Sequence, residues 1–176
     1  CKPGVAEKEM DTHKATAILA RQATVSMAIT ARDKIAFAKA SLTEAKTATS
    51  YQLQQAKLES ANKYIVQAED QQTKMRAEVQ KATTAETSAD ELIKQASANR
   101  RALCNAKEME TIRTSVSEAE GLESEITSKI AELKTLRASI PNLLNVSDPV
   151  ALKTYFQNEL KNLTDKPDEI RVLQVT

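Results

Sequence analysis

The stretch LESANKYIVQAEDQQTKMRAEVQKATTAETSADELIKQASANRRAL, residues 58–103, decides the fold. Written in heptads, it puts Leu58, Ile65, Gln72, Val79, Glu86 and Ile93 in one column. The other column holds Ala61, Ala68, Met75, Ala82, Ala89, Ala96 and Leu103. Alanine favours helix and lets a neighbouring backbone come close, but it buries little apolar area. The pattern therefore predicts one long, slim packing edge. On its outer faces Glu59 precedes Lys63, Asp70 precedes Lys74 and Asp90 precedes Lys94, the acid-before-base spacing that supports a solvated helix surface. The run Thr83 to Ser88 offers a rival break, yet Ala82, Ala89 and Ala96 keep register across it, so the helix is expected to continue over 51–103.

Outward from this segment the chain stays permissive for helix. Its 176 residues include 2 Gly and 4 Pro, and between Gly4 and Ile140 there is no proline and a single glycine, Gly121. Aromatic content is only 3%, which argues against a thick globular core. The class is all-α, and the expected architecture is an elongated antiparallel three-helix bundle over 1–140 with a small C-terminal section over 141–176. The first helix, about 5–47, carries Met10, Ile18, Val25, Ile29, Ile35 and Leu42, widened by Ala17, Ala28, Ala31, Ala38 and Ala45. That spacing reads as a straight amphipathic helix rather than a coiled-coil seam. Thr49 and Gln52 have the spacing of a capping box at the first turn, and Asn105 and Glu108 repeat it. A third helix, about 106–139, follows with Met109, Ile112, Val116, Ala119, Ile126, Ile130, Leu133 and Ile140; Glu123 and Arg137 stand where an apolar seam residue is missing. Gly121 lowers helix propensity inside it, so a kink or break is a possibility the sequence leaves open. Ser147, Asp148 and Pro149 spell a cap and first turn for a short helix, about 149–163, expected to pack on the bundle. The tail from Lys166 reads as extended.

Net charge is +1, from 25 basic and 24 acidic residues, so no field steers nucleic acid or an anionic membrane surface. No segment is apolar for long enough to span a bilayer, and no apolar leader opens the chain, which leads us to expect a mature or trimmed polypeptide. Neither a Gly-rich phosphate loop nor a nucleophile–base grouping is present, so no catalytic residue and no cofactor is expected. His13 with Glu9 one turn before it supplies two ligands at most, which is not a metal site. Arg100 and Arg101 near the end of the second helix complement its negative pole or meet an acidic partner. Tyr51, Tyr64 and Tyr155 are too scattered for a stacking platform.

Cys1 and Cys104 are the only cysteines. A first helix of about 43 residues covers ~65 Å and a second of about 53 returns ~80 Å, which brings Cys104 back beside Cys1. Three readings stand: a disulfide closing a loop of about a hundred residues, on the order of 4 kcal/mol in the chain-entropy model; two free thiols in a cytosolic protein; or Cys1 as the lipid-bearing first residue of an envelope lipoprotein. Two glycosylation sequons, Asn145-Val146-Ser147 and Asn162-Leu163-Thr164, fall outside the long helices.

This plan, a first cysteine before a long helix, a hairpin, a second cysteine at its return, a third helix and then sequons, resembles the helical-bundle surface glycoproteins of African trypanosomes. That group includes the variant surface glycoproteins, the haptoglobin–haemoglobin receptor and the glutamic acid/alanine-rich surface protein. The resemblance covers about Cys1 to Ile140 and is one of plan and composition. It implies a Cys1–Cys104 disulfide, glycans on Asn145 and Asn162, a GPI anchor outside this chain, and display on the extracellular face after passage along the secretory route. The first functional expectation is accordingly a non-enzymatic coat protein packed beside copies of itself. The alternatives are a surface receptor for a host macromolecule, and an envelope lipoprotein or intracellular coiled-coil assembly protein.

Overall fold

The computed structural model describes residues 4–164, and among them the chain forms four helices and no strand. They are α1 (Val5–Lys46), α2 (Tyr51–Ala98), α3 (Glu108–Ala138) and α4 (Pro149–Thr164). The expected extended tail lies outside the described residues.

The first turn is closed by Ser50, whose hydroxyl accepts from the Leu53 amide at 3.3 Å. The cap is therefore Ser50, one residue later than the Thr49 that the spacing suggested. α2 runs unbroken through 83–88. Its threonines are absorbed into the helix because Thr83, Thr84 and Thr87 each donate a hydroxyl to the carbonyl one turn back. The helix ends at Ala98 rather than Leu103. Arg100 turns left-handed with φ 53°, the Arg101 amide reaches the Ala96 carbonyl at 2.9 Å, and the Arg100 amide reaches that of Ser97 at 3.0 Å. This is the paired closure that glycine usually makes, here built on arginine. α3 continues through Gly121 without a break. Asp148 caps α4, its carboxylate accepting from the Val150 and Ala151 amides.

Packing corrects the reading of α1. Met10, Ala17, Thr24, Ala31, Ala38 and Ala45, every seventh residue, are completely buried, whereas Val25 is 39% and Ile29 55% exposed. The alanines expected only to widen a stripe are the seam itself, and α1 follows the seven-residue repeat after all. Thr24 is tolerated there because its hydroxyl is spent on the Ala20 carbonyl at 2.8 Å. In α2 the alanine column holds from Ala61 to Ala89, with Ala61, Ala68, Met75, Ala82 and Ala89 fully buried, while Ala96 is half-buried and Leu103 lies past the end of the helix. All eight apolar residues named for the third seam are buried too. Its two gaps are filled by polar contacts with α2: Glu123 accepts from Arg76 at 2.8 Å, and Arg137 donates to the Asn62 side chain.

The three long helices share three clusters. One joins Met10, Ala17 and Ala20 to Ala82 and Ala89 and to Met109, Ile112 and Val116. A second joins Ala28 and Ala31 to Ala68 and Met75 and to Ile126 and Ile130. The third joins Ala38, Leu42 and Ala45 to Leu58, Ala61 and Ile65 and to Leu133. Residues early in α1 thus meet residues late in α2, and the order reverses toward the other end.

Among the described residues the backbone of α4 makes no close approach to α1, α2 or α3. Val150, Phe156 and Leu160 are each more than 60% exposed.

Two substitutions test this packing. Nothing lies within 4 Å of a Cβ built on Gly121, so Gly121→Ala is expected to stabilise by about 1 kcal/mol, raising the melting temperature by roughly 2–4 °C. Ala31→Leu, at a completely buried seam position, is expected to lower stability by about 2–3 kcal/mol in urea unfolding, while the same change at exposed Ala77 is close to neutral.

Candidate functional site

The most organised polar groups close the two ends of the helical core. At the end where α1 begins, Glu7 is only 1% exposed. Arg101 Nη2 donates to both of its carboxylate oxygens, at 2.6 and 2.7 Å, and the Gly4 amide donates to Oε2 at 2.9 Å. Asn105 adds two bonds from Nδ2, to the Glu7 carbonyl at 2.8 Å and to Asp11 at 2.7 Å. The Arg101 hydrogen bond, opposed by burial and helped by backbone donors that include Gly4, holds the Glu7 carboxyl below its ordinary value. Arg101 is therefore committed to α1, and Asn105 bridges to α1 instead of capping α3, whose first residues carry no side-chain cap. Cys104 lies between these two in sequence and is not a free thiol. Cys1 lies outside the described residues.

At the opposite end Gln54 is 2% exposed. Its amide nitrogen donates to the Pro141 carbonyl at 2.9 Å and the Ala45 carbonyl at 3.5 Å, while its oxygen accepts from the Leu143 amide at 2.8 Å. One side chain thus ties the end of α1 and the chain leaving α3 to the start of α2. Sequence reasoning missed both Glu7 and Gln54. For Gln54 a signal existed, since it continues the Ala61 and Ala68 column one heptad earlier; a polar residue on an otherwise apolar column needs bonded partners. For Glu7 the sequence carries only a helix-start carboxylate, and its partner lies 94 positions away.

Asn145 is half-buried in the turn before α4, where its side-chain oxygen accepts from the Ser147 amide at 3.2 Å. Asn162 is exposed on α4. His13 lines a shallow groove between α1 and α2 with Thr16, Gln80, Lys81, Thr84 and Ser88. Among the described residues no group of three or more His, Cys, Asp or Glu side chains is placed to hold a metal ion. Tyr64 packs on Phe37 with ring centroids 5.3 Å apart and planes tilted by 36°, and the Lys34 ammonium lies 5.9 Å from the Tyr64 centroid, so Tyr64 is used in packing α1 against α2. No helix among the described residues is long and apolar enough to cross a membrane. Compared with known proteins, the chain matches no family model, no curated protein and no solved structure.

The Glu7 closure has a pH signature. With a folded pKa below the ordinary 4.5, Glu7 contributes stability that is complete above that value and is lost as pH falls from it through the lowered folded value. Glu7→Gln is expected to be less stable than the parent at about pH 7 and to lose less further stability on acidification to about pH 3. Urea midpoints followed by circular dichroism measure this, and equal acid losses in the two proteins would show that the carboxylate has no part in it.

Proposed function

We propose that the chain is an elongated antiparallel three-helix bundle that works as a rigid, non-enzymatic rod in a cell-surface glycoprotein coat. The observation that carries this reading is the double closure: residues 4–11 lie against 101–105 at one end, and residues 45 and 54 lie against 141–143 at the other. At 1.5 Å per residue, the 48 residues of α2 make a rod of about 72 Å. Alanine columns keep it narrow, which suits close lateral packing beside copies of itself. The shielding such a coat gives is steric, and it needs length and stiffness rather than a reactive group. In this reading Cys1 and Cys104 form a disulfide across the closure that already holds Gly4, Glu7 and Arg101 together, Asn145 and Asn162 carry glycans, and a GPI anchor outside this chain holds the rod on the extracellular face. The assignment to the trypanosome surface glycoproteins rests on plan and composition alone.

One observation favours a second reading, a receptor for a host macromolecule. α4 displays Val150, Phe156 and Leu160 to solvent away from the packed helices, and exposed apolar clusters of this kind are characteristic of interaction surfaces.

Intact-mass analysis of the protein from its native source, before and after reduction and with glycosidase, tests the proposal. The expected result is a gain of two hydrogens on reduction and loss of glycan mass. A lipid adduct on Cys1, or an unglycosylated chain with both thiols free, would overturn the surface-coat reading in favour of an envelope lipoprotein or an intracellular assembly protein.

A further inference from the structure

We propose that the groove between α1 and α3 around Lys39 is a binding site for a small amphiphile with one negative charge, of the alkyl carboxylate class. The cavity measures about 460 Å³, within the range of small-molecule sites, about 300–1,000 Å³. Its floor is apolar and firmly backed. Leu133 is 3% exposed and belongs to a core cluster, Leu136 packs on that cluster, and Ile35 packs on both it and the neighbouring one. Its walls are Arg32, Ala36 and Lys39 from α1 and Lys129 and Glu132 from α3. The groove stays open because Ala36, an exposed residue, contributes only a methyl group where a longer side chain would fill it.

The charges around this floor are unequally satisfied. Glu125 takes both Nε and Nη2 of Arg32, at 3.1 and 2.5 Å, and the Lys129 ammonium at 3.4 Å as well. One carboxylate is thus shared by two cations. Neither the Lys39 ammonium nor the Glu132 carboxylate forms an ion pair among the described residues. Arg32, Lys39 and Lys129 together outnumber Glu125 and Glu132 by one, so the rim favours an anion, with Lys39 as the uncommitted donor. The distance from Arg32 to Lys39 along α1, about 10 Å at 1.5 Å per residue, sets the length of tail the floor can cover. A carboxylate at Lys39 with a medium alkyl chain on half-buried Ile35 and Leu136, backed by buried Leu133, satisfies the charge and covers the accessible part of the apolar floor in one molecule. The His13 groove offers no such combination, since the Thr16 and Thr84 hydroxyls lining it are already donated to their own helix.

This inference is independent of the coat reading, and its test uses the full chain with sodium octanoate. Amide chemical shifts are expected to move saturably, with the changes confined to residues 32–39 and 129–136. Lys39→Glu removes and reverses the donor, and Ala36→Phe fills the groove from an exposed position; each is expected to weaken octanoate by about tenfold or more with helicity and unfolding midpoint unchanged. Acetate, which lacks the tail, and octanol, which lacks the charge, are expected to bind at least about tenfold more weakly than octanoate. Absence of saturable shifts at these amides, equal octanoate affinity in the parent and Lys39→Glu, or acetate binding as well as octanoate would each overturn the assignment.

Discussion

Alanine confines its side chain to one methyl group, and a column of such groups along a helix lets a second backbone come closer than leucine would allow. In this chain the constraint operates on two helices at once. Ala17, Ala31, Ala38 and Ala45 line α1, while Ala61, Ala68, Ala82 and Ala89 line α2, all without exposed surface. Close approach gives continuous van der Waals contact over a long edge, but each layer buries little apolar area, and the hydrophobic term scales with that area. α3 offsets the deficit, since Ile112, Ile126, Ile130 and Leu133 bring the bulk that the other two seams lack. The core is therefore asymmetric, with two slim helices closed by a third that carries the larger side chains.

A helical core is most vulnerable where its ends fray, and each end here is held by one nearly inaccessible polar side chain with several bonds. Glu7 gathers Gly4 and Arg101, and Gln54 gathers Ala45, Pro141 and Leu143. Each links segments that are far apart in sequence, so each counts against separation of the helices rather than against fraying of one. Between them a polar relay crosses the middle of the α2–α3 seam. Gln72 donates to Thr127, Thr127 to Glu123, and Glu123 also accepts from Arg76. A relay with all its members bonded fixes the axial register of the two helices, which uniform alanine columns alone leave poorly determined. The remaining ion pairs, such as Lys14 with Glu108 and Arg21 with Glu118, lie along the seam edges with substantial exposure and contribute modestly.

The seams of α2 and α3 were legible because their apolar residues are the ones that pack, so periodicity and burial coincide. In α1 they diverge. Its large side chains, Val25 and Ile29, sit outside the seam and its alanines sit inside, and a reading weighted by hydrophobic size is drawn to the wrong column. The caps of α2 and α4 were legible to within a residue, because a hydroxyl or carboxylate at a helix start acts locally, as Ser50 and Asp148 do, whereas Asn105 was read as the cap of α3 and is used on α1 instead. The end of α2 was not, since an arginine in the left-handed region carries no compositional signal of the kind glycine carries. The groove beside Lys39 was equally hidden, because it is formed by residues of two helices nearly a hundred positions apart and by the absence of bulk at Ala36.

By itself the amino-acid sequence determined the helical class, the turn between α1 and α2, the greater part of the columns of α2 and α3, and the turn before α4, all of which follow from local propensity and short-range spacing. Only the tertiary structure decided which face of α1 is buried, that Arg101 and Asn105 are used to hold the chain's beginning, that Gln54 gathers the other end, and that Val150 and Phe156 of α4 are exposed. These depend on how many neighbours each helix acquires and at what distance, and a periodic pattern specifies a face without specifying what will cover it.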